Sequence, residues 1–512
     1  MSAADLPQAP EAGRAAQTPA GPSLTRRIAS GAAWMVSMRL VNRLIGVAST
    51  LFLARLLMPE DFGLVALAAS FANLLAVLCE LSLDKVLIQK QDRALRAHYD
   101  TAFTMNLLVM SFAAAVVFFG AGAAARFLGE PRLESILHWL ALMPLMTGLI
   151  NIGTVDFRKH LDLDKEFLFR FIPRVIGLVI AVSAALMLRS YWALVIASLS
   201  RHAALLFLSY AMHSFRPRLT LCEWHDLFAF SKWLAGYNVI FAAVQRADAL
   251  IVGKFAGATS LGFYVVAREV ANLPSSEMAA PLQQVLFPGY AKLAHDKARL
   301  RAGFLHSLGG VLALALPASI GIGLLAEPFV HVLLGQRWLE AVPMIHVLVA
   351  FGLLRVARVG VPSLLFAFGE ARIAMVLALI HLSVLVGALA MLTPRYGAIG
   401  GCWALVLTEA LSLVVYGTVA GRRLSFGPGA LWAVLWRPVL ACLIMSLGVM
   451  LLPASEHGSL HALMLLLLGA GLGVALYGLS LLGLWQLSGR PQGVETRLIG
   501  LLGPGLARWR HA

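Results

Sequence analysis

The chain has 512 residues, of which 60% are hydrophobic and 13% charged, and its mean hydropathy is +0.81. Soluble domains average about 45–50% apolar and about 25% charged residues, and a water-soluble fold of this size could not hide so much apolar surface. Composition therefore excludes an ordinary soluble enzyme, a disordered tail protein and a secreted disulfide scaffold, and leaves a polytopic helical membrane protein. The net charge of +15 would suggest nucleic acid in a soluble protein, but in a membrane chain it reflects Lys and Arg gathered on the cytoplasmic side, so no nucleic-acid partner is expected. Cys79, Cys222, Cys402 and Cys442 are far apart and form no CxxC pair, so neither a metal centre, another cofactor nor a disulfide framework is expected.

Residues 1–30 are rich in Ala, Pro and Ser and lack an apolar core, which predicts a disordered cytoplasmic tail rather than a signal peptide. From there apolar runs of about 20 residues, the length a bilayer requires, follow one another. They fall at 31–54, 62–83, 102–125, 134–155, 168–188, 192–213, 228–251, 261–286, 303–325, 343–367, 373–393, 398–420, 433–452 and 460–485. The expected fold is all-α, with about 14 transmembrane helices. The runs are far longer than the alternating strands of a membrane barrel. Pro173, Pro274, Pro281, Pro317 and Pro362 fall inside spans, where membrane helices tolerate them. The mixed charged and apolar stretch 156–170 reads as a short interfacial helix. Trp34, Trp139, Trp192, Trp233 and Trp338 fall near span ends, where interfacial anchoring is expected. The loops are too short for an extramembrane domain.

Loop charge sets the orientation. With the N-terminus inside, the cytoplasmic segments hold 24 of the 41 Lys and Arg residues. The outer loops hold only Arg55, Arg126, Arg132, Arg189, Lys254, Arg337 and Arg395. Such a bias predicts a multi-pass protein with both termini cytoplasmic.

The chain also repeats itself at an offset of 199 residues. Trp34 meets Trp233, Arg55 meets Lys254, Gly63 meets Gly262, and Ala72-Asn73-Leu74 meets Ala271-Asn272-Leu273. The offset covers six helices, an even number, so the copies point the same way, as in transporters built from parallel repeats. The expected domains are a first six-helix lobe at 31–213, a cytoplasmic linker at 214–227 and a second six-helix lobe at 228–420. Helices 13 and 14 occupy 421–485, beside the lobes and against lipid, and a cytoplasmic tail covers 486–512. The two lobes would face each other across a central cavity.

Three stretches carry a family resemblance. They are Leu53 to Gly63; Ala247 to Tyr264 followed by Pro274, Pro281 and Phe287-Pro288; and Leu334 to Pro343, with Gly335, Trp338 and Ala341. In order and spacing they resemble the Wzx-type polysaccharide and O-antigen flippases, in the exopolysaccharide-exporter branch of the multidrug, oligosaccharidyl-lipid and polysaccharide exporters. The resemblance covers roughly residues 30–485. It implies a transporter that flips polyprenyl-pyrophosphate-linked oligosaccharides across the bacterial inner membrane for surface polysaccharide synthesis. It also implies the glycosyltransferases and polymerase of the same pathway as partners.

Charge within the spans points the same way. Ionisable groups are costly there and tend to mark substrate paths. The basic ones are Arg39, Arg43, Arg174, Arg201, Lys232, Arg246, Arg268, Arg355, Arg358 and Arg437, against Glu80, Asp248, Glu269, Glu277 and Glu409. Guanidinium groups grip phosphate oxygens in pairs, so the excess suits a pyrophosphate. Arg39 with Arg43, and Arg355 with Arg358, each share one helix face. The expected substrate-binding set is Arg39, Arg43, Arg174, Arg246, Arg268, Arg355 and Arg358. Asp248, Glu269, Glu277 and Glu409 are the expected carriers of a coupling ion. Arg246 with Asp248 also admits a purely structural ion pair.

The sequence carries no P-loop, GxSxG elbow or HExxH, so no catalytic residue is expected and ATP bound to this chain is not the expected power source. Two other readings stay open. One is an ion-coupled multidrug antiporter of the same superfamily, which calls for an acidic cavity. The other is a membrane sugar polymerase or acyltransferase, which calls for a long outer loop or an intramembrane His/Asp set.

Overall fold

The computed structural model describes residues 45–90, 96–160, 162–452 and 459–489, and these are helical with no β-strand. The first half comprises α1 (Ile45–Leu56), α2 (Pro59–Cys79), α3 (Leu83–Lys90), α4 (Arg96–Leu128), α5 (Leu133–Leu140), α6 (Leu142–Leu149), α7 (Val155–Lys159), α8 (Leu163–Leu188) and α9 (Trp192–Met212). The second comprises α10 (Trp224–Leu293), α11 (Lys297–Leu324), α12 (Ala326–Leu333), α13 (Val342–Arg358), α14 (Gly360–Ala367) and α15 (Ala371–Leu424). The chain closes with α16 (Pro428–Met450) and α17 (Ser459–Leu487).

Two of these elements are hairpins rather than straight rods. In α10 the backbone breaks at Gly257, with φ 82° and ψ 170°. The Tyr264 hydroxyl then donates to Asp248 at 2.6 Å, although 16 residues of straight helix would separate them by about 24 Å. In α15 the break is at Gly397, with φ 61° and ψ −146°, and His381 Nδ1 lies 2.7 Å from Ser412 Oγ on the returning arm. Both glycines sit in the left-handed region that side chains with a Cβ disfavour.

Ten helices of the described residues are long and apolar enough to cross a membrane, or eleven with the bent pair that turns by 67° after Leu149. Splitting α10 and α15 at their glycines and adding the shorter α1 is compatible with the expected fourteen crossings. The protein is a multi-pass membrane protein. The stretch 156–170 forms no single interfacial helix; it divides between α7 and the first turns of α8.

The repeat is visible as a reciprocal contact. A Cβ at Gly63 would run into the carbonyl of Ala258, and a Cβ at Gly262 into the carbonyl of Pro59. Each glycine and each carbonyl is the other's mate at the 199-residue offset. Here α2 crosses the returning arm of α10 backbone against backbone, the close approach that small residues allow between membrane helices.

One end of the molecule is sealed around this crossing. The Trp338 side chain is fully buried, donates from Nε1 to the Ala54 carbonyl at 2.7 Å, and meets Phe62 and Phe263 edge-on at 5.3 and 5.9 Å. It is a wedge between the two halves, so the expectation of interfacial anchoring fails for Trp338. Trp139, 53% exposed, fits it. Arg55 donates to the carbonyls of Val332 and Leu333 at the C-terminus of α12, while its repeat mate Lys254 lies over the Phe127 ring near the end of α4. Arg132 bonds Glu130 and Glu60 at the same end, which holds its guanidinium above the usual arginine range.

The opposite end carries a separate set of ties: Tyr99 to Asp156 at 2.6 Å, Arg158 to Asp84 at 3.0 Å and Arg423 to Glu370 at 2.8 Å. Successive loops thus alternate between two ends, as the positive-inside pattern requires. α16 and α17 pack on the flank of α11, where Ala441, Cys442 and Met445 meet Leu316, Ile320 and Leu324. Large apolar side chains such as Phe119 (84% exposed) and Val474 (76% exposed) cover the periphery, as a lipid-facing surface requires.

Replacing Gly262 with Leu should lower the thermal midpoint of the detergent-purified protein, because a backbone carbonyl cannot yield; overpacking of this kind costs about 1–3 kcal/mol. Gly417→Ala, at a position with open space around it, should leave the midpoint unchanged. Equal midpoints for both variants would contradict the crossing.

Candidate functional site

The second half encloses a cavity of about 190 Å³ between both arms of α10, α13, α14 and both arms of α15. Arg268, Arg355 and Arg358 line it, with Glu409, His381 and Tyr416. Arg355 and Arg358 are three residues apart on α13 and do share a face, as their spacing predicts. The other four arrive from the returning arm of α10 and from α15, so the hairpins at Gly257 and Gly397 assemble the site.

The charges are not equal in status. Arg358 forms a two-point pair with Glu409, at 2.7 and 2.9 Å, and its guanidinium lies 4.9 Å from the Tyr416 ring centre. Arg268 pairs with Asp248, a fully buried carboxylate that also accepts from Tyr264. The second Asp248 oxygen, Oδ1, is buried with no hydrogen-bond partner among the described residues. Two arginines are thus neutralised by two acids. Arg355 forms no ion pair among the described residues. A guanidinium in a confined, poorly solvated site without a counterion attracts an anion strongly.

The remaining candidates are dispersed. Arg174 lies in the first half, beside Arg201 in a cavity of about 350 Å³ bounded by α1, α2, α8 and α9. Arg246 is exposed on the outgoing arm of α10; its neighbour Asp248 pairs with Arg268 rather than with it. Glu409 is committed to Arg358, and Glu269 is half-buried on the returning arm of α10. Arg39 and Arg43 lie outside the described residues, as does the side chain of Glu277. Sequence reading missed Tyr264, Tyr416 and the His381–Ser412 contact. Tyr264 closes the Ala247–Tyr264 stretch, and the others are polar groups inside apolar runs, too common to single out.

The fold is shared with solved membrane proteins. It matches the lipid II flippase MurJ in an inward closed conformation with a TM-score of 0.72 at 12% identity, over 88% of this chain and 99% of that one. An inward-facing multidrug MATE transporter of the MOP superfamily matches with a TM-score of 0.61 at 14% identity, over 76% of this chain and 98% of that one. Residues 52–343 match the family described as polysaccharide biosynthesis protein, and the chain belongs to that family. Among its relatives are the succinoglycan biosynthesis transport protein ExoT of Rhizobium meliloti (strain 1021), 28% identical over 83% of this chain and 86% of the relative, and the lipopolysaccharide biosynthesis protein WzxC of Escherichia coli (strain K12), 23% identical over 77% and 80%. The Wzx-type resemblance read from Leu53 to Gly63, Ala247 to Tyr264 and Leu334 to Pro343 is borne out.

The Arg358–Glu409 pair yields a stability test. Arg358→Met alone should cost about 3–5 kcal/mol, because it strands a buried carboxylate. Arg358→Met combined with Glu409→Leu should recover most of that loss, read as thermal midpoints in detergent. Additive losses would show that the two side chains do not act as a pair.

Proposed function

We propose that this protein flips polyprenyl-pyrophosphate-linked oligosaccharides across the bacterial inner membrane, for the synthesis of exopolysaccharide, capsule or lipopolysaccharide. The observation that carries this reading is Arg355, a guanidinium with no ion pair among the described residues, in a cavity whose other two arginines are already paired. A pyrophosphate supplies the missing negative charge, and its oxygens match the planar donor fork of arginine. Membership of the polysaccharide biosynthesis family and relatives named for succinoglycan transport and lipopolysaccharide biosynthesis support it.

The cycle is alternating access. The end sealed by Trp338 and Arg55 is the outer one, with both termini in the cytoplasm. The substrate enters from the cytoplasmic end, and its pyrophosphate meets Arg355, with Arg268 and Arg358 beside it. The polyprenyl tail stays in lipid. The halves then part at the outer seam and close behind the cargo. An ion gradient or the membrane potential biases the cycle, and Asp248, with its unpartnered oxygen, is the carboxylate best placed to sense a cation. Arg39, Arg43, Arg174 and Arg246 complete the basic route, and Glu269, Glu277 and Glu409 are further candidates for coupling. Glycosyltransferases and a polymerase of the same pathway supply and consume the cargo. The protein itself makes or breaks no covalent bond.

A multidrug antiporter with the same fold would hold a cation, and Arg355 in the cavity opposes one. In a deletion strain of the native host, Arg355→Gln should restore about tenfold less surface polysaccharide than the wild-type gene, since a charge-assisted hydrogen bond contributes about 1.5–3 kcal/mol. Arg355→Lys should restore an intermediate level. Full export by Arg355→Gln, at equal protein level, would contradict the anion-binding role.

A further inference from the structure

The first half contains a second cavity, of about 420 Å³, between α2, α4, α6, α8 and the turn after α6. Its volume falls in the range of about 300–1,000 Å³ usual for small-molecule sites. Its chemistry is the reverse of that around Arg355. Its two arginines are cancelled within the protein: Arg158 pairs with Asp84 at 3.0 Å, and Arg170 pairs with Glu166. The other polar groups facing the space are amides, hydroxyls, the His202 imidazole and the Glu80 carboxyl. Asn73 and Glu80 have no side-chain partner among the described residues, and Asn106 has only a long 3.5 Å contact to the Thr147 carbonyl. Glu80, just beyond the end of α2, has its carboxyl raised above the usual range by burial and then by Asp84, with Lys85 partly opposing. Its oxygens can accept hydrogen bonds from a hydroxyl or amide donor. Phe169 supplies an apolar surface in the same cavity.

The internal repeat shows that this openness is specific to the first half. At the 199-residue offset Asn73 corresponds to Asn272 and Ala76 to Ser275. In the second half the Ser275 hydroxyl lies 3.4 Å from Asn272 Oδ1 and engages that amide. In the first half an alanine replaces the serine, and both Asn73 and Ala76 line the cavity. Likewise Arg268 of the second half corresponds to Ala69, which also lines the first-half cavity. At these repeat positions the first half thus carries two alanines where the second half carries an arginine and a serine.

We propose that the first-half cavity is a saccharide subsite, in which Asn73, Glu80 and Asn106 take the hydroxyl or amide groups of an uncharged sugar residue while the second-half arginines hold the phosphates. Sugar hydroxyls donate and accept together; the Asn73 and Asn106 amides answer both requirements, and the Glu80 carboxyl oxygens accept. A bare phosphate would meet no unpaired cation there. This proposal rests on the flippase reading above.

The test uses the full-length protein in lipid nanodiscs and two probes: undecaprenyl pyrophosphate without sugar, and the sugar-bearing polyprenyl pyrophosphates extracted from the deletion strain. Wild type should bind the sugar-bearing probe more tightly. Asn73→Ala with Glu80→Ala should remove about tenfold of that affinity, as expected for two lost hydrogen bonds, while leaving the sugar-free probe unaffected. That unchanged binding also reports a folded protein. Glu80→Gln, which keeps an accepting oxygen, should retain most of the increment, and Arg355→Gln should weaken both probes alike. If the double variant keeps the full sugar increment, or wild type shows none, the subsite is overturned and the anion site stands. If wild type binds neither probe, the flippase reading itself fails.

Discussion

The structure depends on one crossing, where α2 meets the returning arm of α10 through Gly63 and Gly262. Two membrane helices gain no hydrophobic energy by leaving lipid for each other, so they associate through close packing. Here the packing is backbone on backbone, with the Pro59 and Ala258 carbonyls standing where any Cβ would be. Because each half supplies one glycine and one carbonyl, the contact fixes the relation between the halves. Trp338, Arg55 and Lys254 then build outward from it and seal the same end. An exporter that works by rocking must part this seam, and a seam of apolar edges and carbonyl caps can part without stranding a charge.

Charge is managed differently in the cavity around Arg355 and in the one around Asn73. A lone ionised group in a dry interior is too costly to keep without a partner or a purpose. In the second half Arg268 and Arg358 have carboxylates, and Arg355 has none among the described residues. In the Asn73 cavity Arg158 and Arg170 are both answered, and amides, hydroxyls, His202 and Glu80 face the space. A pyrophosphate-linked sugar is charged at one part and neutral and hydroxyl-rich at another. The two cavities differ in the same way.

Much of this was legible in the sequence, because hydropathy and repetition act locally. The spans, the loop-charge bias and the 199-residue offset were plain, and the matches of Gly63 with Gly262 and Arg55 with Lys254 proved to be structural mates at the sealed end. The pairing of charges was not legible. Asp248 lies two residues from Arg246 in sequence, yet its partner is Arg268, brought back by a turn at Gly257. Glu409, an expected ion carrier, is paired with Arg358 from the far arm of α15. Such pairings depend on where hairpins return. Trp338 was misread for a related reason: its position near a span end suggested an interface, but the fold places that end between the two halves.

The most direct test is reconstitution. The purified protein would be placed in liposomes holding lipid-linked oligosaccharide in both leaflets, and a membrane-impermeant sugar-oxidising reagent added outside. The predicted result is that the protected inner-leaflet pool becomes accessible faster than in protein-free liposomes, with Arg355→Gln much slower than wild type. A protected pool that persists in wild-type vesicles as long as in empty ones, across an imposed ion gradient and potential, would contradict flipping by this chain.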